Sequence, residues 1–314
     1  MATQRILVIG GPTASGKSAI AMEVARALDG VVINADSMQV YAELPILTAQ
    51  PDTAARAAVP HRLYGVLSAA EVCSAARWAD MAWAAVDDAV EEGLQPIVVG
   101  GTGLYIRAMM RGLAPVPEIP PEIRAETRKL LHELGPAAFH ARLAGRDPDG
   151  AARLQPTDPQ RLARAWEVLE ATGRSLADWQ AEAGPTRAGA EFLPFVLNPD
   201  RETLYQTIDR RFAEMVQAGA LDEVSALSRM DLPAQAPALK ALGVQELLSH
   251  FAGDMDLATA IAAGQQSSRR YAKRQMTWFR NQLPAANFLS VDRDFKTSLE
   301  RILPEIFSVI RKNC

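Results

Sequence analysis

Residues 11–18 read GPTASGKS, and this stretch decides the fold class of the chain. It follows the apolar run Ile6 to Ile9 and precedes a helical pattern from Ala19 to Leu28. A strand, a glycine-bounded turn and a helix start are the context of a phosphate-binding loop, and the spacing G-x-x-x-x-G-K-S is met in full. The spacing therefore predicts a di- or triphosphate site formed by Gly11, Pro12, Thr13, Ala14, Ser15, Gly16, Lys17 and Ser18.

The chemistry of the loop explains this prediction. Glycines adopt backbone angles closed to other residues, so that successive N–H groups can point at one anion. The helix N-terminus adds a partial positive charge and Lys17 a full one, while the Ser18 hydroxyl can hold a magnesium ion. The alternative is an ordinary glycine-rich turn of an α/β fold. The loop alone does not say which phosphate compound binds.

The composition excludes several classes of protein. With 314 residues, 48% of them apolar, the chain can form one large or two modest domains. Cys73 and Cys314 are its only cysteines, too few for a disulfide framework or a cysteine-rich metal site. No apolar run approaches the ~20 residues that a membrane span needs. We expect a monomeric, soluble, cytoplasmic protein with no membrane partner.

Two further strands end in polar or glycine-rich stretches. The short strand predicted at 31–34 is followed by Asp36, and the strand predicted at 96–99 is followed by the glycine-rich turn that contains Thr102. Ligands of open α/β sheets bind outside the carboxyl ends of the strands, so Asp36 is expected to face the same crevice as the phosphate loop. A single Asp after a strand is more often a helix or turn cap, and the glycine turn also suits a tight strand-to-helix connection.

The pattern changes after Gly112. A proline-rich connector leads into helical patterns at 121–134, 136–143, 159–172 and 175–183, with no convincing strand until 192–197. We therefore predict an α/β fold: a P-loop NTPase-like parallel sheet core with an all-helical insertion domain. The domains are 1–112 and 191–314 for the core and 113–190 for the insertion, and 48–64, with little periodicity, is a variable connection.

The last long helix has a one-signed charge pattern. Residues 257–290 contain no Asp or Glu, yet five cations lie there, interleaved with Tyr271, Trp278 and Phe279. Such a pattern favours contact with phosphates, of a ligand or of a polynucleotide. A plain surface helix is the alternative. The cations are Arg269, Arg270, Lys273, Arg274 and Arg280.

These motifs, in this order, resemble the bacterial tRNA dimethylallyltransferase family (tRNA isopentenyltransferases). The matching stretches span nearly the whole chain. They are GPTASGKS at 11–18, DSMQVY at 36–41, GGTGLY at 100–105, DPQRLARAWEV at 158–168, the stretch from Asp209 and RRYAKRQMTWFR at 269–280. The chain shows no Cys/His zinc module of the kind found in eukaryotic relatives, which favours the bacterial type.

The resemblance implies a reaction and its residues. A dimethylallyl group passes from its diphosphate to N6 of adenosine 37 in the anticodon loop of certain tRNAs. The phosphate loop then holds the isoprenoid diphosphate with Mg²⁺, with Ser18 at the metal. Asp36 becomes the general base, Thr102 lies close to the bridging oxygen, and Arg211 stabilises the leaving diphosphate.

The resemblance also implies where tRNA binds. The helical insertion is expected to hold the anticodon stem-loop by shape and phosphate contacts. The residues assigned to tRNA are Asp36, Ser37, Met38, Gln39, Thr102, Arg124, Gln160, Arg161, Leu162, Ala163, Arg164, Lys240, Lys273 and Arg274. Two departures from the family weaken assignments: Arg62 replaces the second histidine of a pair, and Lys240 and Val244 stand where Arg and Tyr are common.

Three alternatives stay open on the residues. A small-molecule kinase with ATP in the loop is supported equally by the loop, but the strand before Gly100 ends without a magnesium carboxylate. Transfer of the prenyl group to free AMP, ADP or ATP does not explain the basic helical insertion. A non-enzymatic RNA-binding module leaves the phosphate loop and Asp36 unexplained.

Overall fold

The computed structural model describes residues 4–312 except 183, 185 and 234. The chain forms two compact units. The first combines Met1–Met110 with Arg187–Cys314, and the second is Arg111–Thr186.

The first unit is built on a six-stranded parallel sheet in the order β3-β2-β4-β1-β5-β6. The central strands read as near-continuous apolar runs because helices cover both faces of a parallel sheet. This arrangement confirms the predicted α/β class. The strands are β1 Gln4–Gly10, β2 Gly30–Asn34, β3 His61–Arg62, β4 Gln95–Gly100, β5 Ala190–Pro199 and β6 Asn287–Val291.

Thirteen α-helices lie within the described residues. In chain order they are α1 Lys17–Ala27, α2 Thr53–Ala58, α3 Ala75–Glu91, α4 Gly103–Arg111, α5 Pro121–Ala144, α6 Pro148–Ala152, α7 Pro159–Thr172, α8 Leu176–Ala181, α9 Arg201–Met215, α10 Leu221–Ser228, α11 Val244–Phe251, α12 Leu257–Gln282 and α13 Phe295–Lys312. A π-turn at Val216–Ala220 and a 3₁₀ turn at Pro237–Lys240 complete the set.

The sheet separates two hydrophobic layers. Successive β1 side chains point to opposite faces, so Ile6 and Val8 pack in one layer with Trp78 of α3. Leu7 and Ile9 pack in the other layer, which also contains residues of α1 and α13. The phosphate loop begins at the carboxyl end of β1, between these two layers.

Two details of this unit were not predicted. The stretch 48–64, predicted only as a variable connection, contains α2 and the edge strand β3. The strand is only two residues long, which left no readable periodicity. The basic helix is also not the last one, since α12 ends at Gln282 and α13 follows β6.

All the regular elements described in the second unit are helices, with α5 to α8 around a small core. Gly135 interrupts α5 with a left-handed backbone (φ 72°), at the break predicted between two helices. Phe139 and Trp166 pack in the core with tilted rings at a centroid distance of 5.3 Å. None of the helices described in either unit is long and apolar enough to cross a membrane.

Candidate active site

The loop between β1 and α1 has the geometry of an anion cradle. Gly16 adopts φ 85°, and a Cβ there would lie 2.1 Å from the ring of Phe295, so only glycine fits. The Ser15 N–H donates to Pro12 O at 3.3 Å, which closes the turn. Ser15 Oγ is buried and has no hydrogen-bond partner within the described residues. A buried hydroxyl without a partner is costly, and an oxyanion in the loop would satisfy it.

Two cations, Lys17 and Arg211, interact electrostatically with the Asp36 carboxylate at this loop. Burial lowers the pKa of Lys17 to about 8, while Asp36 raises it and Arg211 lowers it further. Burial also lowers the pKa of Arg211, against the opposing effect of Asp36. The Lys17 ammonium donates to Pro12 O at 3.3 Å. Two desolvated cations facing one carboxylate leave an excess of positive charge, which suits a dianionic or trianionic ligand.

Asp36 is fixed by its neighbours in the chain. Its N–H donates to Oδ1 of the fully buried Asn34 at 2.8 Å, and Asn34 Nδ2 donates to the Asp36 and Leu63 carbonyls at 3.0 Å each. The Met38 N–H donates to Asp36 Oδ1 at 3.0 Å. One carboxylate oxygen is thus used to fix the turn, and the other is the candidate for accepting a proton.

Thr102 lies beside this turn, at the start of α4. Its Oγ1 accepts from the Ser37 N–H at 2.9 Å and lies 3.2 Å from Ser37 Oγ. The Thr102 N–H donates to Ala35 O at 3.2 Å. The structure therefore brings Asp36, Ser37 and Thr102 together from two strand ends. Gln39 has a different role, because its Nε2 donates to the carbonyls of Thr48 and Ala49 and so holds the following loop.

An apolar cavity of about 50 Å³ adjoins the loop. Thr13, Arg211 and Ser268 form its polar part. The rest of its wall is mainly hydrocarbon, from Ala14, Leu47, Ile208, Phe212, Met215 and Leu242. Such a wall suits a small apolar group carried on a phosphate.

The basic residues of α12 divide into two groups. Arg269 forms an ion pair with Asp209, and Arg280 donates to Asn198 Oδ1 at 3.1 Å, so both have structural partners. Lys273 is exposed. Arg270 and Arg274 line a second cavity of about 300 Å³ together with Lys240. These cations can meet phosphates of a large anionic partner.

The residues of the second unit that are predicted to bind tRNA differ in their solvent exposure. Arg124, Gln160 and Arg161 are exposed, whereas Ala163 and Arg164 are partly buried. The Arg161 guanidinium lies 3.3 Å from Asp158, and Arg164 lies 3.8 Å from Glu167. Burial lowers the pKa of Arg164, with a further lowering from nearby Arg124. Leu162 is fully buried in the helical core, so its side chain has no surface to offer RNA.

Sequence reasoning missed two polar side chains that support the site. Asn34 was read only as the end of a strand, and Gln275 only as part of a motif. Gln275 is buried, with hydrogen bonds to Thr13 and Gly101. Its position could have been noticed, because Ser268, Ala272, Gln275 and Phe279 repeat at helical spacing on the buried side of α12.

Within the described residues, no group of three or more His, Cys, Asp or Glu side chains could hold a metal ion. Ser18 is exposed at the start of α1. A cation at this site would therefore take most of its ligands from phosphate oxygens and water. Mg²⁺ is commonly held in this way, with one or two protein ligands.

Comparison with known proteins gives consistent matches. A model of the family described as IPP transferase matches residues 39–282. The tRNA dimethylallyltransferase of Rhodospirillum centenum is 54% identical over 287 residues, which is 91% of each chain. That of Paramagnetospirillum magneticum is 53% identical over 307 residues, covering 98% of this chain and 96% of its own.

Solved structures agree. The full-length tRNA isopentenylpyrophosphate transferase of Bacillus halodurans is 32% identical with a TM-score of 0.70, covering 98% of this chain and 97% of its own. A eukaryotic dimethylallyltransferase acting on tRNA is 26% identical with a TM-score of 0.82, covering 99% and 80%. These matches confirm the resemblance carried by the motifs, and the chain belongs to the IPP transferase family of prenyltransferases.

Proposed function

We propose that this protein transfers a dimethylallyl group from dimethylallyl diphosphate to N6 of adenosine 37 in tRNA and releases diphosphate. One observation carries the proposal: Lys17, Arg211 and Asp36 share one site at the phosphate loop. Loss of diphosphate from an allylic carbon needs cations at the leaving oxygens. Attack by an amine needs a base. This site supplies both.

The donor side is the loop and Arg211. The diphosphate lies against the loop N–H groups and the Lys17 ammonium, and Ser15 Oγ gains the partner it lacks. Ser18 would hold Mg²⁺ together with diphosphate oxygens, and the ion would supply positive charge next to the leaving group. The five-carbon group lies in the apolar cavity beside Thr13 and Arg211.

The acceptor side is the turn that carries Asp36. The N6 lone pair forms a bond to C1 of the dimethylallyl group while the C1–O bond breaks and its electron pair goes to the bridging oxygen of diphosphate. Lys17, Arg211 and the loop N–H groups stabilise that oxygen charge. The N6 proton passes to Asp36, with Thr102 close to the bridging oxygen. The adenine must first leave the anticodon loop, as in other enzymes that modify a base.

The RNA is held by cations outside this site. We assign Lys240, Lys273 and Arg274 in the first unit and Arg124, Arg161 and Arg164 in the second to phosphates of the stem-loop. The lowered pKa of Arg164 supports its assignment, because a desolvated guanidinium close to a second one gains from an anion. Ser37 and Met38 border the base pocket, and Gln39 holds the loop that follows them.

The alternatives explain fewer observations. A kinase also needs the phosphate loop, but β4, the neighbour of β1, ends in Gly100 rather than in a magnesium carboxylate. Transfer to a free adenine nucleotide leaves the exposed arginines of the second unit without a role. A simple RNA-binding module leaves unexplained why Lys17 and Arg211 are desolvated beside Asp36.

The test is mass spectrometry of nucleosides from unmodified tRNA incubated with the protein, Mg²⁺ and dimethylallyl diphosphate. We expect an adenosine heavier by one dimethylallyl group. Parallel reactions replace tRNA by AMP, or the donor by ATP. Product with AMP and none with tRNA would show that the acceptor is a free nucleotide. Phosphoryl transfer from ATP, without prenyl transfer, would show that the protein is a kinase.

The matched variant is Asp36→Asn. The amide oxygen can still accept from the Met38 N–H, so the turn is kept and only the charge is lost. We expect the single-turnover rate to fall by at least ~10²-fold, the usual scale for a general base, with tRNA binding retained. An unchanged rate would remove Asp36 from the mechanism.

A further inference from the structure

Gln275 of α12 joins the two loops of the candidate active site. Its Oε1 accepts from the Thr13 N–H at 2.8 Å, and its Nε2 donates to Gly101 O at 2.9 Å. The side chain is only 4% exposed. Thr13 belongs to the phosphate loop, whereas Gly101 directly precedes Thr102. One carboxamide therefore spans the distance from the diphosphate side to the acceptor side.

The partners require an amide at this position. A backbone N–H can only donate and a carbonyl can only accept, so the side chain must present one acceptor and one donor on the same small group. A carboxylate offers two acceptors and would face the Gly101 carbonyl with like partial charge. A methionine offers neither bond and leaves two buried backbone groups without partners, each a costly loss.

The contact is tight. A Cβ at Gly101 would lie 2.1 Å from Gln275 Nε2, so glycine at 101 allows the amide to reach the backbone. Two aromatic rings of α12 also pack closely against the site. A Cβ at Gly103 would lie 2.2 Å from the Trp278 ring, and a Cβ at Gly10 would lie 2.6 Å from the Phe279 ring. Apolar packing thus fixes α12 against the site, and Gln275 adds hydrogen bonds from the helix to the two loops.

Tyr271, one turn earlier on α12, lies within the same network. Its hydroxyl is beside the side chains of Thr102 and Gln275. Burial and the negative charge of Asp36 raise its pKa, so it remains a neutral donor at physiological pH. The polar side chains of Gln275 and Tyr271 on α12 therefore contact both the loop that binds phosphate and the turn that carries Thr102.

We propose that Gln275 is a positioning residue that sets the spacing between the diphosphate and the Asp36–Thr102 side of the site. This inference rests on the proposed function. Transfer requires the reacting atoms to meet within about 3–3.5 Å, and a displacement of 1 Å can cost on the order of 10²-fold in rate. A residue bonded to both loops controls that displacement, although it touches neither substrate.

The experiment compares Gln275→Met and Gln275→Glu with Gln266→Met and Gln266→Glu, matched changes at an exposed position of the same helix. Single-turnover prenylation at saturating tRNA gives the rate, and calorimetry with inorganic diphosphate gives loop affinity. We expect Gln275→Met to slow transfer by about 10²-fold, with tRNA and diphosphate affinities within about threefold of wild type. The Gln266 variants should match wild type.

The Gln275→Glu variant adds a readout that a merely structural role would not move. A protonated carboxyl group presents one acceptor and one donor, as the amide does, so protonation restores the bond to Gly101 O. Its rate relative to wild type should therefore rise as the pH falls from 8 to 6, while the ratio for Gln275→Met stays flat. This pH titration decides the matter even where Gln275→Met fails to fold.

Three outcomes would overturn the inference. They are a wild-type rate in folded Gln275→Met, a loss that disappears at saturating tRNA, and a pH-independent ratio for Gln275→Glu. The second outcome would make Gln275 an RNA contact. Failure of the proposed function looks different, because wild-type protein itself would then give no prenylated tRNA.

Discussion

The two units use the same positively charged residue types in opposite physical states. At the phosphate loop, Lys17 and Arg211 are desolvated and their pKa values are lowered by burial. In the second unit, Arg161 is 75% exposed and lies beside an acidic residue one turn away. Under the proposed function, the buried cations stabilise a charge that develops during reaction, whereas the exposed cations bind RNA phosphates with release of counterions. The difference predicts effects of different size and kind.

The largest effect is expected from Arg211→Ala. Removing one group that stabilises the leaving oxygens costs about 10²–10³-fold in rate, so kcat should fall by that factor while tRNA affinity is retained. The control is Arg210→Ala, since Arg210 is 72% exposed and pairs with Glu214 one turn away. Equal losses in Arg210→Ala and Arg211→Ala, measured at saturating tRNA, would contradict the contrast between buried and exposed cations.

A smaller effect is expected from the pH dependence of Lys17. Its pKa of about 8 means that the ammonium is charged below pH 8 and neutral above it. Affinity for inorganic diphosphate should therefore weaken as the pH rises through 8, by up to about tenfold per pH unit, the limit for one linked proton. Calorimetry between pH 6.5 and 9.5 checks this. The Lys17→Arg variant stays charged, and an identical fall in that variant would assign the dependence to diphosphate.

Substitutions of exposed cations in the second unit should change the salt dependence of tRNA binding instead. Arg161→Ala is expected to weaken tRNA binding a few-fold at 0.1 M salt and to reduce the slope of log affinity against log salt by about 0.7–0.9, the value for one phosphate contact. Filter binding across a salt series measures both. Its kcat at saturating tRNA should equal that of wild type. An unchanged slope would mean that Arg161 lies on an ordinary solvent-exposed helix face and contacts no RNA phosphate.

The smallest effect sharpens the comparison within the second unit. Arg146 has local partners, an ion pair with Glu170 and a guanidinium 4.9 Å from the Trp166 ring. Arg146→Ala should therefore lower the free energy of unfolding by about 1 kcal/mol and leave the salt dependence of tRNA binding unchanged. Thermal melting and the same salt series test this. A reduced slope would add Arg146 to the RNA-binding residues.

Local patterns predicted much of the fold. The apolar runs gave β1, β2, β4 and β5 because a parallel strand covered on both faces must be continuously apolar. Helix α7 was predicted to the residue, since Asp158 caps it, Pro159 begins it and Gly173 ends it. Strand β3 was missed because two residues carry no period.

The candidate site was predictable where a motif encodes it locally. The phosphate loop, Asp36 and Thr102 each directly follow a strand end, and parallel strands bring such ends to one edge. Leu162 shows the limit of motif transfer. It lies between RNA-facing candidates in the chain, but the helical turn directs its side chain into the core.

The sequence by itself determined the loop, the parallel α/β class, the helical insertion and the family. These depend on contacts within a few residues or on motifs read in order. Only the tertiary structure decided which cations are buried and where Gln275 points. Gln275 is 262 residues from Thr13 and 174 from Gly101 along the chain, and desolvation depends on everything packed around a group, which no local pattern records.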